Sequence, residues 1–126
     1  MIQSLNKTVD LVDKGQFLTG IPTYGKIMIG DGGFEYYNDK NIADFIQIPW
    51  NQVDHVAASV LFNKSISRFA IFTKQNGAFT FSTRDNKKTL RMVNKYIDSN
   101  NLVRSLSFFD VIKLGLKGLL NRIFKR

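Results

Sequence analysis

The stretch DFIQIPWNQVDHVAASV, Asp44 to Val60, holds the chain's only Trp, its only His and its longest period-2 hydrophobic pattern. Phe45, Ile46 and Ile48 form a short β-prone run. Pro49 has no N–H for a ladder and fixes φ, so this strand is expected to end or bulge at Trp50. From Val53 the pattern restarts, with Val56, Ala58, Val60 and Phe62 on one face and His55, Ala57, Ser59 and Leu61 on the other. That is the signature of a strand with one buried face. Two strands meeting at a tryptophan are the expected centre of a small β domain.

Upstream, Thr8 to Asp13 alternates, and Gly15 interrupts before Phe17 and Leu18 resume, which predicts a first strand. Gly20, Pro22 and Gly25 break the pattern. Lys26 to Ile29 then runs into Gly30-Asp31-Gly32-Gly33, whose glycines permit positive φ, and Phe34, Tyr36 and Tyr37 continue, so a hairpin is predicted. Asn38 to Asn41 is a polar loop. Downstream, Asn63 to Ser65 turn the chain into Arg68 to Thr73, and Asn76-Gly77 is the strongest hairpin dipeptide before Ala78 to Ser82. At Thr83 the period changes. Thr83 or Asp85 can cap a segment that puts Leu90, Val93, Tyr96 and Ile97 on one stripe, predicting a helix from Asp85 to Ile97. The expected class is mainly β with C-terminal α (α+β): roughly five to seven strands in a bent antiparallel sheet or partly open barrel, closed by that helix. An OB-like barrel is the rival, although its helix between middle strands has no candidate here.

Ile46, Ile48, Trp50, Val53 and Val56 follow an aliphatic-x-aliphatic-x-Trp pattern with hydrophobics three and six residues on. This resembles the mid-domain strand and turn of pleckstrin-homology and GRAM-type domains. Four blocks, YGKIMIGDGGFEYYND (Tyr24 to Asp39), FIQIPWNQVDHVAASV (Phe45 to Val60), RFAIFTK (Arg68 to Lys74) and VRSLSFFDVIK (Val103 to Lys113), together resemble a small family of unknown biochemical function often called ManO. Its genes sit beside mannose-class phosphotransferase permease genes in Gram-positive bacteria. The resemblance implies a regulator of mannose uptake and brings no catalytic residues with it.

At 126 residues, 44% hydrophobic and 22% charged, the sequence suits one globular domain with material for a core. Without cysteine, neither a disulfide frame nor a thiolate metal site is available. The N-terminus lacks a signal-peptide core and no run approaches the roughly 18 apolar residues of a membrane span, so a cytoplasmic location is expected. The net charge is +8, but residues 1–103 hold 12 Lys/Arg against 9 Asp/Glu and residues 104–126 hold 6 against 1. The excess is in the tail. We therefore divide the chain into a body, 1–103, and a basic tail, 104–126.

The chemistry-bearing residues are sparse. Asp54 adjoins His55, but neighbours on a strand point to opposite faces, so no dyad is expected. A packed or outward strand histidine is the reading here; a phospho-acceptor is the alternative that the transport neighbours suggest. One His and no Cys leave zinc without ligands. Asp10, Asp13, Asp31, Glu35, Asp39 and Asp44 read as solvated surface. The GDGG run precedes a strand, whereas a phosphate cradle opens a helix. Phe34, Tyr36, Tyr37, Phe69, Phe72, Phe79 and Phe81 read as core rather than nucleic-acid stacking platforms, because Lys and Arg are not interleaved with them. No catalytic residue, metal or cofactor is expected, and nothing in the chain argues for an enzyme.

The tail carries the sharpest signal. On a helical wheel Phe108, Phe109, Ile112, Leu116, Leu119, Leu120 and Ile123 share one arc of about 120°. Lys113, Lys117, Arg122, Lys125 and Arg126 flank it. A basic amphipathic helix of this kind suits an anionic membrane surface or a permease subunit, at about 1 kcal/mol per basic residue near the surface. The alternative is a terminal helix packed on the body or on another subunit. Gly115 and Gly118 argue for a helix formed on contact. Three roles follow: a membrane-docking adaptor of the sugar permease, a nucleic-acid-binding regulator of the operon, or a structural oligomerisation module.

Overall fold

The computed structural model describes residues 3–61 and 65–106. The first meander contains β1 (Val9–Phe17), β2 (Thr23–Gly30), β3 (Gly33–Asn38) and β4 (Phe45–Pro49). A 3-10 turn at Trp50–Gln52 leads into β5 (Val53–Leu61), β6 (Ser65–Thr73) and β7 (Ala78–Thr83). Then come α1 (Asn86–Val93), a 3-10 turn at Ser99–Asn101 and β8 (Leu102–Leu106). These eight strands form one sheet in the order β4-β3-β2-β1-β7-β6-β5-β8.

The predicted α+β class holds, with two corrections. The strand count exceeds the expected range, and the sheet is mixed rather than antiparallel throughout, because β8 lies parallel to β5 with Val56 opposite Leu102 and Ala58 opposite Arg104. A parallel neighbour needs a crossover, and α1 with its following turn supplies it. β8 runs across the expected junction between residues 103 and 104. The Gly15 interruption does not occur either: β1 continues through Gly15, which pairs with Gly25 on β2 and Thr83 on β7.

Strand alternation sends Leu11, Ile27, Ile29, Phe34, Tyr36, Ile48, Val53, Val56, Phe69, Ile71 and Phe81 to one face, where Val93 and Ile97 cover them. Phe81 is the hub. Its ring lies 4.8 Å from Phe34, 5.4 Å from Phe17, 5.9 Å from Tyr36 and 6.2 Å from Phe69. Rings at such separations add about 0.5–1.5 kcal/mol per pair beyond burial. The core reading of the aromatics is right for Phe34, Tyr36, Phe69 and Phe81, all fully buried, and for the half-buried Phe79. The Tyr36 hydroxyl shares a hydrogen bond with Thr23 at 2.7 Å, and burial raises its pKa.

The predicted helix is shorter than its stripe. Asp85 caps it, accepting from the Lys88 amide at 3.1 Å, but regular helix ends at Val93. Turn-type bonds from Lys95 to Met92 and from Tyr96 to Val93 then carry the chain to Ile97, which is still buried. The underside of α1 is partly polar. Thr89 is fully buried and meets the Thr83 hydroxyl at 2.7 Å, while Asn86 donates to the Ile66 carbonyl at 2.8 Å. These bonds lock helix to sheet where an apolar stripe alone would leave its position free.

Both predicted hairpins form. At Asn76-Gly77 the glycine adopts φ 78°, as the sequence implied. The Gly30–Gly33 turn is different: among the described glycines only Gly20 and Gly77 have positive φ. Close approach explains it, since a Cβ on Gly32 would stand 2.0 Å from the Leu5 carbonyl oxygen.

Trp50 ties the two strand groups together. Its indole N–H donates to the Gly30 carbonyl at 2.8 Å, and its ring stacks on Tyr96 at 5.2 Å with 9° between planes. The Tyr96 hydroxyl donates to Asp10, which also takes the Lys95 ammonium at 3.2 Å. Trp50→Ala should cost about 3 kcal/mol in chemical denaturation, and Trp50→Phe, which keeps the stack but not the hydrogen bond, about 1 kcal/mol. The Tyr96 hydrogen bond, opposed by desolvation, holds Asp10 below the ordinary carboxylate value of 3.8. A depressed folded pKa stabilises above the unfolded value and is lost as pH falls through the folded one. Asp10→Asn should therefore flatten the loss of stability below about pH 4, measured by urea titration across the acid range.

Candidate functional site

The alternation that buries one face sends Val12, Lys14 and Gln16 of β1 and Tyr24, Lys26 and Met28 of β2 to the other. Register aligns these with β3 and β4 in rows. Lys14, Lys26, Tyr37 and Phe45 lie across the four strands, and Val12, Met28, Glu35 and Gln47 form the row beside them. The rings of Tyr37 and Phe45 stack at 6.3 Å. This outer face carries the unusual chemistry of the body.

Glu35, expected to be solvated, is fully buried on it. The segment before β1 folds over the carboxylate. Ser4 donates its hydroxyl at 2.5 Å, Leu5 its amide at 3.0 Å, Asn6 its side-chain amide at 2.8 Å and Gln47 its amide at 3.0 Å, with the Tyr37 hydroxyl as a further donor. All these donors are neutral. The clasp extends to the β2–β3 turn: Asn6 Oδ1 accepts from the amides of Gly32 at 2.6 Å and Gly33 at 2.8 Å. Asp31 accepts from the amides of Lys7 at 2.8 Å and Thr8 at 3.1 Å. These amide bonds, that of Thr8 foremost, hold the Asp31 carboxyl below its ordinary pKa. Burial, followed by the bond to Glu35, raises that of Tyr37. Asp13 also departs from the solvated reading, being 8% exposed and accepting the Asp85 amide at 3.1 Å.

A cleft lies where β2, β1 and β7 run side by side. It has a volume of about 510 Å³ and is lined by Lys14, Gln16, Tyr24, Asp39, Ser82 and Arg84, among others. The β1–β7 pairing sets its cationic wall: the Arg84 amide donates to the Lys14 carbonyl at 3.0 Å. One terminal nitrogen of Arg84 stands 3.3 Å from the Asp13 carboxylate. No carboxylate among the described residues pairs with Lys14 or Lys26.

His55 overturns the expectation that Asp54 could not reach it. The Asp54 carboxylate lies 2.7 Å from Nδ1, and the ring stacks on Phe72 at 4.3 Å. A register irregularity between Val53 and His55 breaks the strict alternation on which the expectation rested. Phe72 thus belongs to the outer surface rather than the core. Among the described residues, no group of three or more His, Cys, Asp or Glu is placed to hold a metal ion. The tail residues singled out by the sequence, Phe108, Phe109, Ile112, Lys113, Leu116, Lys117, Leu119, Leu120, Arg122, Ile123, Lys125 and Arg126, lie outside the described residues. No helix among the described residues is long and apolar enough to cross a membrane.

A small α+β domain with one mixed sheet, a clasped outer face and a cationic cleft is thus defined. Residues 1–116 match the model of the family described as Domain of unknown function (DUF956), and the chain belongs to that family. No curated protein matches the sequence. Among solved structures, the chain is similar to the C-terminal domain of an unknown protein from Leishmania infantum, with TM-score 0.62 and 10% identity over 71% of this chain and 83% of that one. It is also similar to a structure of the Spt16D Pob3N heterodimer, with TM-score 0.57 and 10% identity over 77% of this chain and 55% of that one. At such identity the likeness concerns the fold alone.

Glu35→Gln puts an N–H among donors and should destabilise the clasp by about 1–3 kcal/mol. The expected result is faster amide exchange at Leu5 and Thr8, with little change at Phe81 in the core.

Proposed function

We propose that this chain is a non-catalytic adaptor or regulator of a mannose-class phosphotransferase uptake system. In this reading a pleckstrin-homology-like, GRAM-like body docks on the inner face of the membrane, or on permease subunits, through the basic amphipathic tail. The observation that carries it is the concentration of positive charge in residues 104–126, 6 Lys/Arg against 1 Asp/Glu, beside an apolar arc, while the described body builds a core of its own. The buried cluster runs from Leu11 to Ile97, with Leu102 the last partly buried residue packed against it among the described residues. β8, the last described element, lies at the edge of the sheet and leads toward the part of the sequence that carries the apolar arc from Phe108 to Ile123. The order of two antiparallel meanders followed by a helix that covers the buried face supports the pleckstrin-homology-like assignment. The four sequence blocks quoted above support the link to the transport system.

Flotation of the full-length protein with vesicles rich in phosphatidylglycerol tests the proposal. Replacing Lys113, Lys117, Arg122 and Lys125 with Gln should weaken binding chiefly at low salt. Leu116→Asp combined with Leu120→Asp should abolish it at every salt concentration. A salt-dependent shift of duplex DNA without vesicle binding would transfer the proposal to the nucleic-acid regulator. Loss of an oligomer in the Asp variant, with no vesicle binding by the wild type, would make the tail a subunit-packing helix.

A further inference from the structure

We propose that the cleft on the outer face of β1 binds a small phosphomonoester carrying a planar ring, a ligand of the mononucleotide class. None of its residues lies in the tail, so it goes beyond the docking reading and stands or falls separately.

The first argument is electrostatic. Lys14 and Lys26 are directly opposite each other on β1 and β2. Like charges opposite one another destabilise an antiparallel pair. No carboxylate among the described residues pairs with either lysine, so the strands gain nothing in return. Local rules broken without structural compensation are characteristic of binding sites. Arg84 lines the cleft with Lys14, joined to it by the 3.0 Å backbone bond. Its contact with Asp13 is through one terminal nitrogen and leaves the guanidinium's other donors for a ligand. Lys14 and Arg84 both line the cleft, with Lys26 beside Lys14 on the neighbouring strand, and a guanidinium fork beside an ammonium suits the several oxygens of a phosphate.

The second argument is the shape and the remaining wall. A cleft of about 510 Å³ falls within the size of small-molecule sites. Tyr24, paired with Gln16 across from β1, also lines the cleft; it is 65% exposed and takes no part in the core. An exposed aromatic beside a cationic groove is a stacking platform, tolerant of which base it meets. The Asp39 amide donates to the Tyr24 carbonyl at 3.0 Å, and both residues line the cleft. Its carboxylate is an acceptor for a sugar hydroxyl or an exocyclic amine, groups that a nucleotide carries beyond its phosphate.

Calorimetric titration of the full-length protein with AMP, inorganic phosphate and adenosine tests the proposal. AMP should bind saturably and more weakly as salt rises, and both fragments should bind at least about tenfold more weakly. Lys14→Gln, at an exposed residue of the cleft wall, should weaken AMP by about tenfold without lowering the melting temperature. Tyr24→Ala should weaken AMP while leaving the affinity for inorganic phosphate unchanged. Lys88→Gln, on α1 and away from the cleft, should alter nothing. Absence of saturable AMP binding would overturn the proposal, as would equal weakening by Lys88→Gln and Lys14→Gln. AMP binding no better than inorganic phosphate would overturn the assignment of a ring.

Discussion

The fold depends on a short contact: Gly15, Gln16 and Phe17 of β1 paired with Thr83, Ser82 and Phe81 of β7. Each meander is antiparallel and locally connected, but only this pairing joins them into one sheet. It brings Phe17 and Phe81 together at the centre of the aromatic cluster. The same seam bonds the Arg84 amide to the Lys14 carbonyl, and both residues line the cleft. Asp13 and Asp85 extend the junction to the cap of α1, so the helix is registered on the same seam. Long-range pairing of this kind needs loop closure before it is rewarded, which makes the seam the costly step of folding.

The outer face shows how a small domain tolerates buried polarity. A carboxylate removed from water is costly unless its lone pairs are occupied. For Glu35 the occupants are main-chain and neutral side-chain donors supplied by the segment before β1, by β3 and by β4. Among the described residues, no buried side-chain nitrogen or oxygen lacks a partner. The clasp therefore has a specifying role beyond its energy: it holds the N-terminal segment against the β2–β3 turn, and the family match begins at residue 1, so it includes this segment.

Fold likeness and family membership bear differently on function. Solved structures at 10% identity share the architecture, and architecture hosts many unrelated activities. Function must come from sites, and here the two candidate surfaces draw on different residues. One is an amphipathic tail read from charge and periodicity; the other is a cleft assembled by strand register.

What the sequence by itself determined was what depends on neighbours along the chain. Period-2 runs specified β2 to β7, Asn76-Gly77 its hairpin, Asp85 the helix cap, and Trp50 the hinge between β4 and β5. These signals are local because turn dihedrals, caps and alternation are properties of a few consecutive residues. The tertiary structure alone decided the rest. Nothing near Glu35 in sequence marks it as buried, since its cover comes from Ser4 to Asn6 across a hairpin. Asp54 reaches His55 only because a register irregularity disturbs the alternation. Leu102 to Leu106 became a strand because β5 offered it an open edge, and Lys14 meets Arg84 because β1 pairs with β7. Burial, register and charge clustering arise between segments distant in the chain, and a linear pattern holds no record of which segments will meet.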